Sequence, residues 1–276
     1  MADLFEIPLV TIVNLPQDLH YQLTEPSTGE IVAQVSPVAV GAAWREGTLG
    51  RLFRKAKRAR SIYPGETYHV PRITFRVAGA RNETLFFVDR ADKLIGNPCI
   101  PNSAVVAADG GVLGYITNDH YHILRAVDPP VDANGIATVR GMGFLLDHHN
   151  NVVGEVVRRA PWTPHAMKAG LPPDEYAVSF EGPDGSVWGR RKGEELIVEF
   201  NPDASRTLRI LMISNLICGK ADERLYTPFT TSGYTPPEPL EPATEPYPGY
   251  QGVHESYMQY QEKFIKWFQR NVVPSG

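Results

Sequence analysis

The chain has 276 residues, with 27 Lys and Arg against 31 Asp and Glu, a formal net charge of −4 and a pI of about 6.1. A balance this close to neutral argues against a protein that coats nucleic acid, so no nucleic-acid partner is expected. Hydrophobic residues at 42% and charged residues at 21% are typical of a globular protein. The 24 Pro and 24 Gly favour short strands joined by turns over a helical bundle.

The cysteines and the N-terminus bear on the cellular compartment. Cys99 and Cys218 are far apart and lack ligand-like spacing, so neither a disulfide framework nor a zinc site is expected. The first residues include Asp3 and Glu6 and no basic stretch, which a secretory signal would need. The longest apolar run, near Leu208–Cys218, is interrupted by polar residues and is too short to span a bilayer. These features predict a cytoplasmic protein.

Five segments share a pattern of apolar residues, a polar turn, an apolar pair and then Gly or Ala. They are Tyr21–Ala33, Leu85–Gly96, Ala104–Gly114, Phe144–Gly154 and Ala177–Gly189. Turn residues such as Gly110 and Asn150 adopt a positive φ at little cost, which favours β-hairpins. The small residue that closes each segment permits close backbone approach and strand bending, as barrel walls require. The repeat therefore predicts five hairpins in a mainly β domain.

Further strands and one helix follow from the remaining patterns. Strand candidates are Arg72–Val77, His120–Leu124 and Leu196–Phe200. Beyond them the pattern changes to that of a helix over residues 203–218. Asp203 or Ser205 would cap the start of this helix and Gly219 would stop it.

The predicted helix is apolar on nearly all sides. Its apolar residues are Leu208, Ile210, Leu211, Met212, Ile213, Leu216, Ile217 and Cys218. A helix of this kind must be surrounded by protein or lipid, and it is too short for a bilayer. The predicted strands supply the remaining protein surface that could cover the helix, so the simplest arrangement is a sheet closed around it.

Barrel geometry makes this prediction specific. Eight tilted strands give a barrel radius of roughly 8 Å, which is too tight for a helix, whereas about twelve give roughly 12 Å and fit a helix of about 10–12 Å diameter. Five hairpins with the intervening strands can supply that number. The sequence thus predicts a closed antiparallel β-barrel of about twelve strands around a central apolar helix. A β-sandwich with a helix on one face stays open as the alternative.

Three segments carry a resemblance to a known family. Val105–Ile116 and Gly143–Val156 are similar to the scramblase pattern of a hairpin that ends in Ile/Val-Gly-x-Val/Ile. Val198–Ile213 looks like the last strand and central helix of bacterial scramblase-like proteins. In this order, over about Tyr21 to Cys218, the chain resembles the tubby-like fold shared by phospholipid scramblases, LURP-one-related proteins and the tubby C-terminal domain. The resemblance implies a scramblase-like barrel domain over residues 1–226.

The chain departs from animal scramblases in ways that limit what the resemblance implies. Those proteins carry an acidic calcium-binding segment and clustered cysteines for palmitoylation, whereas here no Asp/Glu-rich loop of that spacing is present and both cysteines are isolated. Calcium-driven lipid scrambling is therefore not expected. The sequence also lacks a nucleophile elbow, a P-loop, a dinucleotide fingerprint and a zinc-protease helix, so neither an enzyme nor a cofactor is predicted.

One basic run stands out in this acidic chain. It consists of Arg51, Arg54, Lys55, Lys57, Arg58 and Arg60. Basic residues beside apolar ones can hold anionic lipid headgroups, and each charge adds about 1 kcal/mol near a charged leaflet. Because the resemblance to scramblases points to phospholipid, we expect a scramblase-related, non-catalytic protein that binds anionic phospholipid at the periphery of a membrane. The same charges could grip nucleic-acid phosphate or form an ordinary solvated surface.

Four histidines raise the question of a metal. Asp147-His148-His149 resembles the Asp-His-His of a phosphoesterase superfamily, but no Asp-x-Asp accompanies it and the repeat places it in a hairpin turn. His120 and His122 share a strand face and could join His148 or His149 around a metal ion. Half-exposed strand residues are the alternative interpretation. A metal-dependent hydrolase is therefore the third functional hypothesis.

The C-terminal part has a different composition. Residues 227–252 are rich in Pro and Glu, which predicts an extended acidic linker. Residues 253–273 predict an amphipathic helix with an aromatic stripe of Tyr257, Tyr260, Phe264, Trp267 and Phe268. The stripe could bind a protein partner, lie in a membrane interface or pack on its own domain. The alternative function is therefore a protein-interaction or scaffold module that uses this tail.

Overall fold

The structure, a computed structural model, describes residues 3–17, 19–40, 69–70, 72–90, 93–94, 103–118, 130–140, 143–170, 176–192, 197–226 and 246–253. The strands are β1 (Leu9–Asn14), β2 (Tyr21–Thr24), β3 (Ile31–Val40), β4 (His69–Val70), β5 (Ile73–Gly79), β6 (Thr84–Arg90), β7 (Lys93–Leu94), β8 (Ser103–Ala107), β9 (Val112–Asn118), β10 (Ile136–Val139), β11 (Gly143–Asp147), β12 (Val152–Pro161), β13 (Tyr176–Glu181), β14 (Val187–Lys192) and β15 (Ile197–Phe200). The helices are α1 (Pro164–Ala169) and α2 (Arg206–Tyr226).

Antiparallel pairing closes the main sheet on itself. The strands follow one another in the order β12, β11, β9, β8, β6, β5, β3, β2, β1, β15, β14 and β13, and β13 pairs again with β12. Twelve strands thus form a closed barrel, while β10 pairs with the second half of β12 on the edge that β11 also uses. The prediction of a closed antiparallel barrel of about twelve strands is confirmed, and the sandwich alternative is excluded.

The hairpin prediction is confirmed for four segments and wrong for one. The segments that begin at Tyr21, Ala104, Phe144 and Ala177 form the pairs β2–β3, β8–β9, β11–β12 and β13–β14. The segment Leu85–Gly96 does not form a hairpin, because its first half is β6, which pairs with β5 and β8 instead. β7 pairs with β4 in a separate two-stranded sheet.

Alternation along each strand separates an inner from an outer face. In β5, Ile73, Phe75 and Val77 are fully buried and belong to the main core. Arg72 and Thr74 point to the other side, because successive side chains of a strand point to opposite faces. The outer face of the barrel therefore carries the polar residues of this strand.

The helix α2 starts where the sequence indicates and ends later than expected. The Ser205 hydroxyl accepts a hydrogen bond from the backbone nitrogen of Leu208 at 3.3 Å and so caps the first turn. The helix continues through Gly219 to Tyr226, so the prediction of a stop at Gly219 is wrong. A glycine inside a helix costs about 1 kcal/mol relative to alanine, and burial of the neighbouring Cys218 and Ala221 offsets that cost.

The side chains of α2 belong to the main core. Leu211, Met212, Ile213 and Ile217 are fully buried. They share one hydrophobic cluster with inner-face residues of strands distributed around the ring, among them Val10, Leu23, Phe75, Val105, Leu145, Phe180 and Val198. No helix in the described part of the chain has the length and apolar character needed to cross a membrane.

The up-and-down order of the strands gives the barrel two different ends. We call the first the turn end, and it comprises the short segments 3–8, 25–30, 80–83, 108–111, 148–151, 182–186 and 201–205. Residues such as Asn82 and Asn150, with φ of 63° and 66°, reverse the chain there. The other end, which we call the loop end, receives the connections after β1, β3, β6, β9, β12 and β14. The two ends also differ in charge.

Candidate functional site

The turn end of the barrel is acidic. Its short segments contain the carboxylates Asp3, Glu6, Glu25, Glu30, Glu83, Asp109, Asp184 and Asp203. Arg81 is the single Lys or Arg in these described segments. The carboxyl of Asp184 accepts hydrogen bonds from the Ser186 hydroxyl and backbone nitrogen, which lowers its pKa and keeps it ionised at neutral pH. This end therefore presents negative charge to solvent.

The loop end carries cations on strands β12 and β14 and on α1. The described ones are Arg158, Arg159, Lys168, Arg190, Arg191 and Lys192. Arg159 pairs with Asp132 at 2.9 Å, and the Arg190 guanidinium lies 5.3 Å from the Tyr176 ring centroid. The Tyr176 hydroxyl in turn donates to Glu199, which raises the pKa of the tyrosine.

Three arginines near the loop end face the barrel interior. Arg158 and Arg191 both stand opposite Val178 in the strand register, and Val178 belongs to the main core. Residues directly opposite each other on neighbouring strands share a face, so both arginines are on the inner side. Arg90 stands opposite the core residue Ile73 and is fully buried. The loop end therefore carries arginines on the inner face of the barrel as well as on its outer face.

The basic run predicted to bind lipid belongs to the connection between β3 and β4. Arg51, Arg54, Lys55, Lys57, Arg58 and Arg60 lie outside the described residues. The connection leaves the barrel at Val40, at the loop end, and the barrel resumes at β5 from the same end. Besides the run it contains Arg45 and two acids, Glu46 and Glu66. The chain therefore attaches its most basic connection to the end opposite the acidic turns.

The histidines considered for a metal do not form a described metal site. His148 and His149 lie exposed in the turn between β11 and β12, with ring centroids 3.8 Å apart. Asp147 accepts hydrogen bonds from the side-chain and backbone nitrogens of Asn151, and these lower its pKa. It also accepts one from the backbone nitrogen of His149. Within the described ranges no three His, Cys, Asp or Glu side chains are grouped closely enough to hold a metal ion. His120 and His122 lie outside those ranges.

A buried arginine organises the turn end. Arg209 is 7% exposed, and its Nη1 donates to the carbonyl oxygens of Phe5 at 2.9 Å and Ile7 at 3.1 Å. Its Nε donates to the carbonyl of Ala204 at 3.2 Å. The guanidinium thus joins the N-terminal segment to the start of α2. The hydrogen bonds that Arg209 donates therefore stabilise the fold.

The outer face of the barrel holds a buried ion pair that the sequence did not indicate. The Nε of Arg72 donates to Asp89 at 2.7 Å, and its Nη2 donates to the other oxygen of that carboxylate. The Thr74 hydroxyl lies 3.5 Å from the same carboxylate. Although both partners are on the outer face, Arg72 is 4% exposed and Asp89 is fully buried.

Residues 246–253, which we call the strap, cover this ion pair. The Tyr247 hydroxyl donates to Asp89, and the Tyr247 ring centroid lies 5.6 Å from that of Phe87. Desolvation and the charge of Asp89 raise the pKa of Tyr247. The Arg72 guanidinium lies 3.8 Å from the Tyr250 ring centroid and donates to the Tyr250 carbonyl at 3.2 Å. The last part of the predicted linker is therefore packed against the barrel.

Sequence reasoning missed the strap and its contacts. The aromatic pair in Tyr247-Pro-Gly-Tyr250 is the signal that could have separated this segment from the linker before it. Aromatic side chains bury large areas and rarely serve a solvated linker. The predicted partner-binding residues Tyr257, Tyr260, Phe264, Trp267 and Phe268 lie outside the described residues.

Comparison with known proteins identifies no relative: no family model matches the chain, and no curated protein or solved structure is significantly similar to it.

Proposed function

We propose that this protein is a scramblase-related, non-catalytic barrel that binds anionic phospholipid at the cytoplasmic surface of a membrane through its loop end. The observation that carries the proposal is the difference in charge between the two barrel ends. The described turn-end segments carry eight carboxylates and one Arg, whereas the connection that contains the basic run 51–60 leaves and rejoins the barrel at the loop end, where Arg190 and Lys192 also lie on β14. A body polarised in this way is attracted to an anionic surface in one orientation.

The kinship to tubby-like proteins is part of the proposal, and it requires α2 to run through the barrel. Two glycines of the wall support that placement. A Cβ added to Gly114 on β9 would lie 3.1 Å from Leu211 Cδ2, and one added to Gly189 on β14 would lie 2.8 Å from Met212 Sδ. Adjacent residues of a helix point about 100° apart. β9 and β14 are four places apart in the ring of twelve, about a third of its circumference, which fits a helix on the axis.

A filled interior favours surface binding over binding inside the barrel. Helix side chains and inner-face strand residues share one core, in which Leu145, Leu211 and Val198 are fully buried. A ligand such as a lipid headgroup would therefore meet the protein at an end or on the outer face. Of these surfaces, the loop end has the charge that complements phosphate.

Vesicle binding tests this function. In Arg54→Glu/Arg58→Glu two charges of the basic run are reversed. Because each cation near an anionic leaflet contributes about 1 kcal/mol, their loss alone weakens partition by about 2 kcal/mol, roughly thirtyfold, and repulsion adds to it. The assay is flotation with vesicles of phosphatidylserine and phosphatidylcholine at low and physiological salt.

The matched control reverses two exposed arginines of the turn-end region, in Arg81→Glu/Arg206→Glu. Both variants lower the formal net charge by the same amount, so a difference between them reports position and not total charge. We expect the control to float nearly as well as the unaltered protein. Equal loss in the two variants, or no flotation of the unaltered protein at low salt, would contradict the proposal.

A second function, a protein-interaction module that uses the C-terminal tail, is favoured by one observation. The strap packs on the outer face of the barrel through Tyr247 and Tyr250, so part of the tail recognises a folded surface. Removal of residues 254–276 separates the two functions. If that change abolishes a stable complex or self-association and leaves flotation intact, the tail serves protein partners.

A further inference from the structure

The strap packs on a continuous patch of the outer face, which we call the groove. Outward-facing residues of four neighbouring strands form it: Thr74 of β5, Phe87 and Asp89 of β6, Ala104 and Val106 of β8, and Tyr115 of β9. They share one face, because they stand opposite one another in the strand register. The strands that carry these residues all belong to the closed barrel.

The groove makes contacts that select particular chemistry. The Asp89 carboxylate accepts a hydrogen bond from the Tyr247 hydroxyl. The Arg72 guanidinium stacks on the Tyr250 ring and donates a hydrogen bond to the Tyr250 carbonyl oxygen. The Tyr247 and Tyr250 rings meet edge to face, with centroids 5.5 Å apart and an interplanar angle of 85°. A phenol that donates to a desolvated carboxylate and a second aromatic ring stacked on an arginine are specific requirements.

The turn between the two tyrosines is also matched to the surface. Gly249, with a φ of 87°, reverses the strap backbone so that both rings point to the groove. Pro248 lies against the turn between β8 and β9, where a Cβ added to Gly110 would be 2.6 Å from the Pro248 carbonyl oxygen. Gly110 therefore leaves the space that the strap backbone occupies.

The strap competes for the groove as part of the same chain. Residues 227–245, which are rich in Pro and Glu, join Tyr226, the last residue of α2, to the strap. A covalently joined ligand binds in an intramolecular event, so a free peptide must compete with it.

We propose that this groove is a peptide-recognition site, that the strap is its built-in ligand, and that a partner presenting the same chemistry displaces the strap. The partner is a peptide with a tyrosine, a Pro-Gly turn and a second aromatic residue. The tyrosine hydroxyl binds Asp89 and the second ring stacks on Arg72. The site uses the outer faces of β5, β6, β8 and β9 and none of the residues 51–60, so peptide binding is tested independently of lipid binding.

A labelled peptide of residues 242–254 tests the proposal by fluorescence anisotropy on the full-length protein. In Tyr247→Ala/Tyr250→Ala the protein's own strap is weakened, while Arg72 and Asp89 still pair with each other. We expect this variant to bind the peptide at least tenfold more tightly than the unaltered protein, in which the strap competes. A peptide that carries Tyr247→Ala should bind the variant at least tenfold more weakly than the original peptide.

The matched control is Tyr257→Ala/Tyr260→Ala, which removes two tyrosines just beyond the strap and should bind the peptide as the unaltered protein does. A milder variant, Tyr247→Phe, keeps the ring against Phe87 and removes only the hydroxyl, so it should give a smaller gain without endangering the fold. Peptide binding that is equal in all proteins, or absent from every strap variant, would overturn the proposal.

Discussion

The contact between Met212 of α2 and Gly189 of β14 offers a direct test of the helix placement. The change Gly189→Ala puts a methyl group 2.8 Å from Met212 Sδ and 3.1 Å from the Glu199 carbonyl oxygen. Overpacking of a core costs about 1–3 kcal/mol, and the lower chain entropy of alanine returns up to about 1 kcal/mol. We expect Gly189→Ala to lower the free energy of unfolding by about 1–2 kcal/mol.

The double variant shows whether residues 189 and 212 are in direct contact. Met212 is fully buried, so Met212→Ala alone should cost about 2–5 kcal/mol. In Gly189→Ala/Met212→Ala the new methyl group enters space that the methionine has left, so the double variant should lose less than the sum of the single changes by at least about 1 kcal/mol. Urea unfolding followed by tryptophan fluorescence measures all three free energies.

A glycine that does not meet the helix provides the control. The three atoms nearest to a Cβ added to Gly154 on β12 would be Leu145 Cδ1 at 3.4 Å, the Glu181 carbonyl oxygen at 3.6 Å and Leu145 Cβ at 3.7 Å, and none of them belongs to α2. Gly154→Ala should therefore combine additively with Met212→Ala. If the Gly189 pair is also additive within about 0.3 kcal/mol, the helix does not pack on β14 as the structure has it, and the reasoning is refuted.

Two further predictions concern buried polar groups. The pKa of Tyr247 is raised by desolvation and by Asp89, so its contribution to stability is fully present below about pH 10, the pKa of an unfolded tyrosine, and falls above it. The difference in unfolding free energy between the unaltered protein and Tyr247→Phe should accordingly be constant up to about pH 9.5 and should decrease by pH 11; no change over that interval would contradict the contact with Asp89. For Arg209, the change to Met leaves the carbonyls of Phe5 and Ile7 without their donor, which should cost at least about 3 kcal/mol in urea unfolding. Arg209→Lys should recover part of this loss, and equal stability of both variants with the unaltered protein would show that these carbonyls find other donors.

The barrel could be predicted because its hairpin turns have a local signature. Gly110, Asn150 and Gly185 stand between apolar runs, and all three adopt the positive φ that those turns require. Local signals of this kind do not depend on the rest of the fold. The number of strands then followed from the space that an apolar helix needs.

The wrong hairpin and the wrong helix end have a common cause. Asp89-Arg90 resembles a turn in sequence, yet Arg90 is buried on the inner face of β6 and Asp89 pairs with Arg72 on the outer face. Gly219 resembles a helix stop, yet the helix continues because its neighbours are buried. In each case tertiary contacts between residues distant in sequence outweighed the local preference.

The surface on which the strap packs could not be predicted for a similar reason. Asp89 and Tyr247 are 158 residues apart, and nothing in the sequence near either residue indicates the other. The concentration of carboxylates at the turn end was also hidden, because the acidic turns are spread along the chain and come together only when the barrel closes. The basic run 51–60 was visible because its charges are consecutive.

The orientation of the protein on a membrane shows whether it binds anionic lipid through the loop end. A fluorophore is attached at Met167→Cys on α1, a loop-end residue that is 64% exposed, or at Ser27→Cys in the turn between β2 and β3. Cys99 is replaced by Ser, and Cys218 stays because it is buried. On anionic vesicles whose lipids carry a headgroup quencher, we expect quenching of the label at residue 167 and unchanged fluorescence at residue 27. Equal quenching at both positions, or stronger quenching at residue 27, would contradict it.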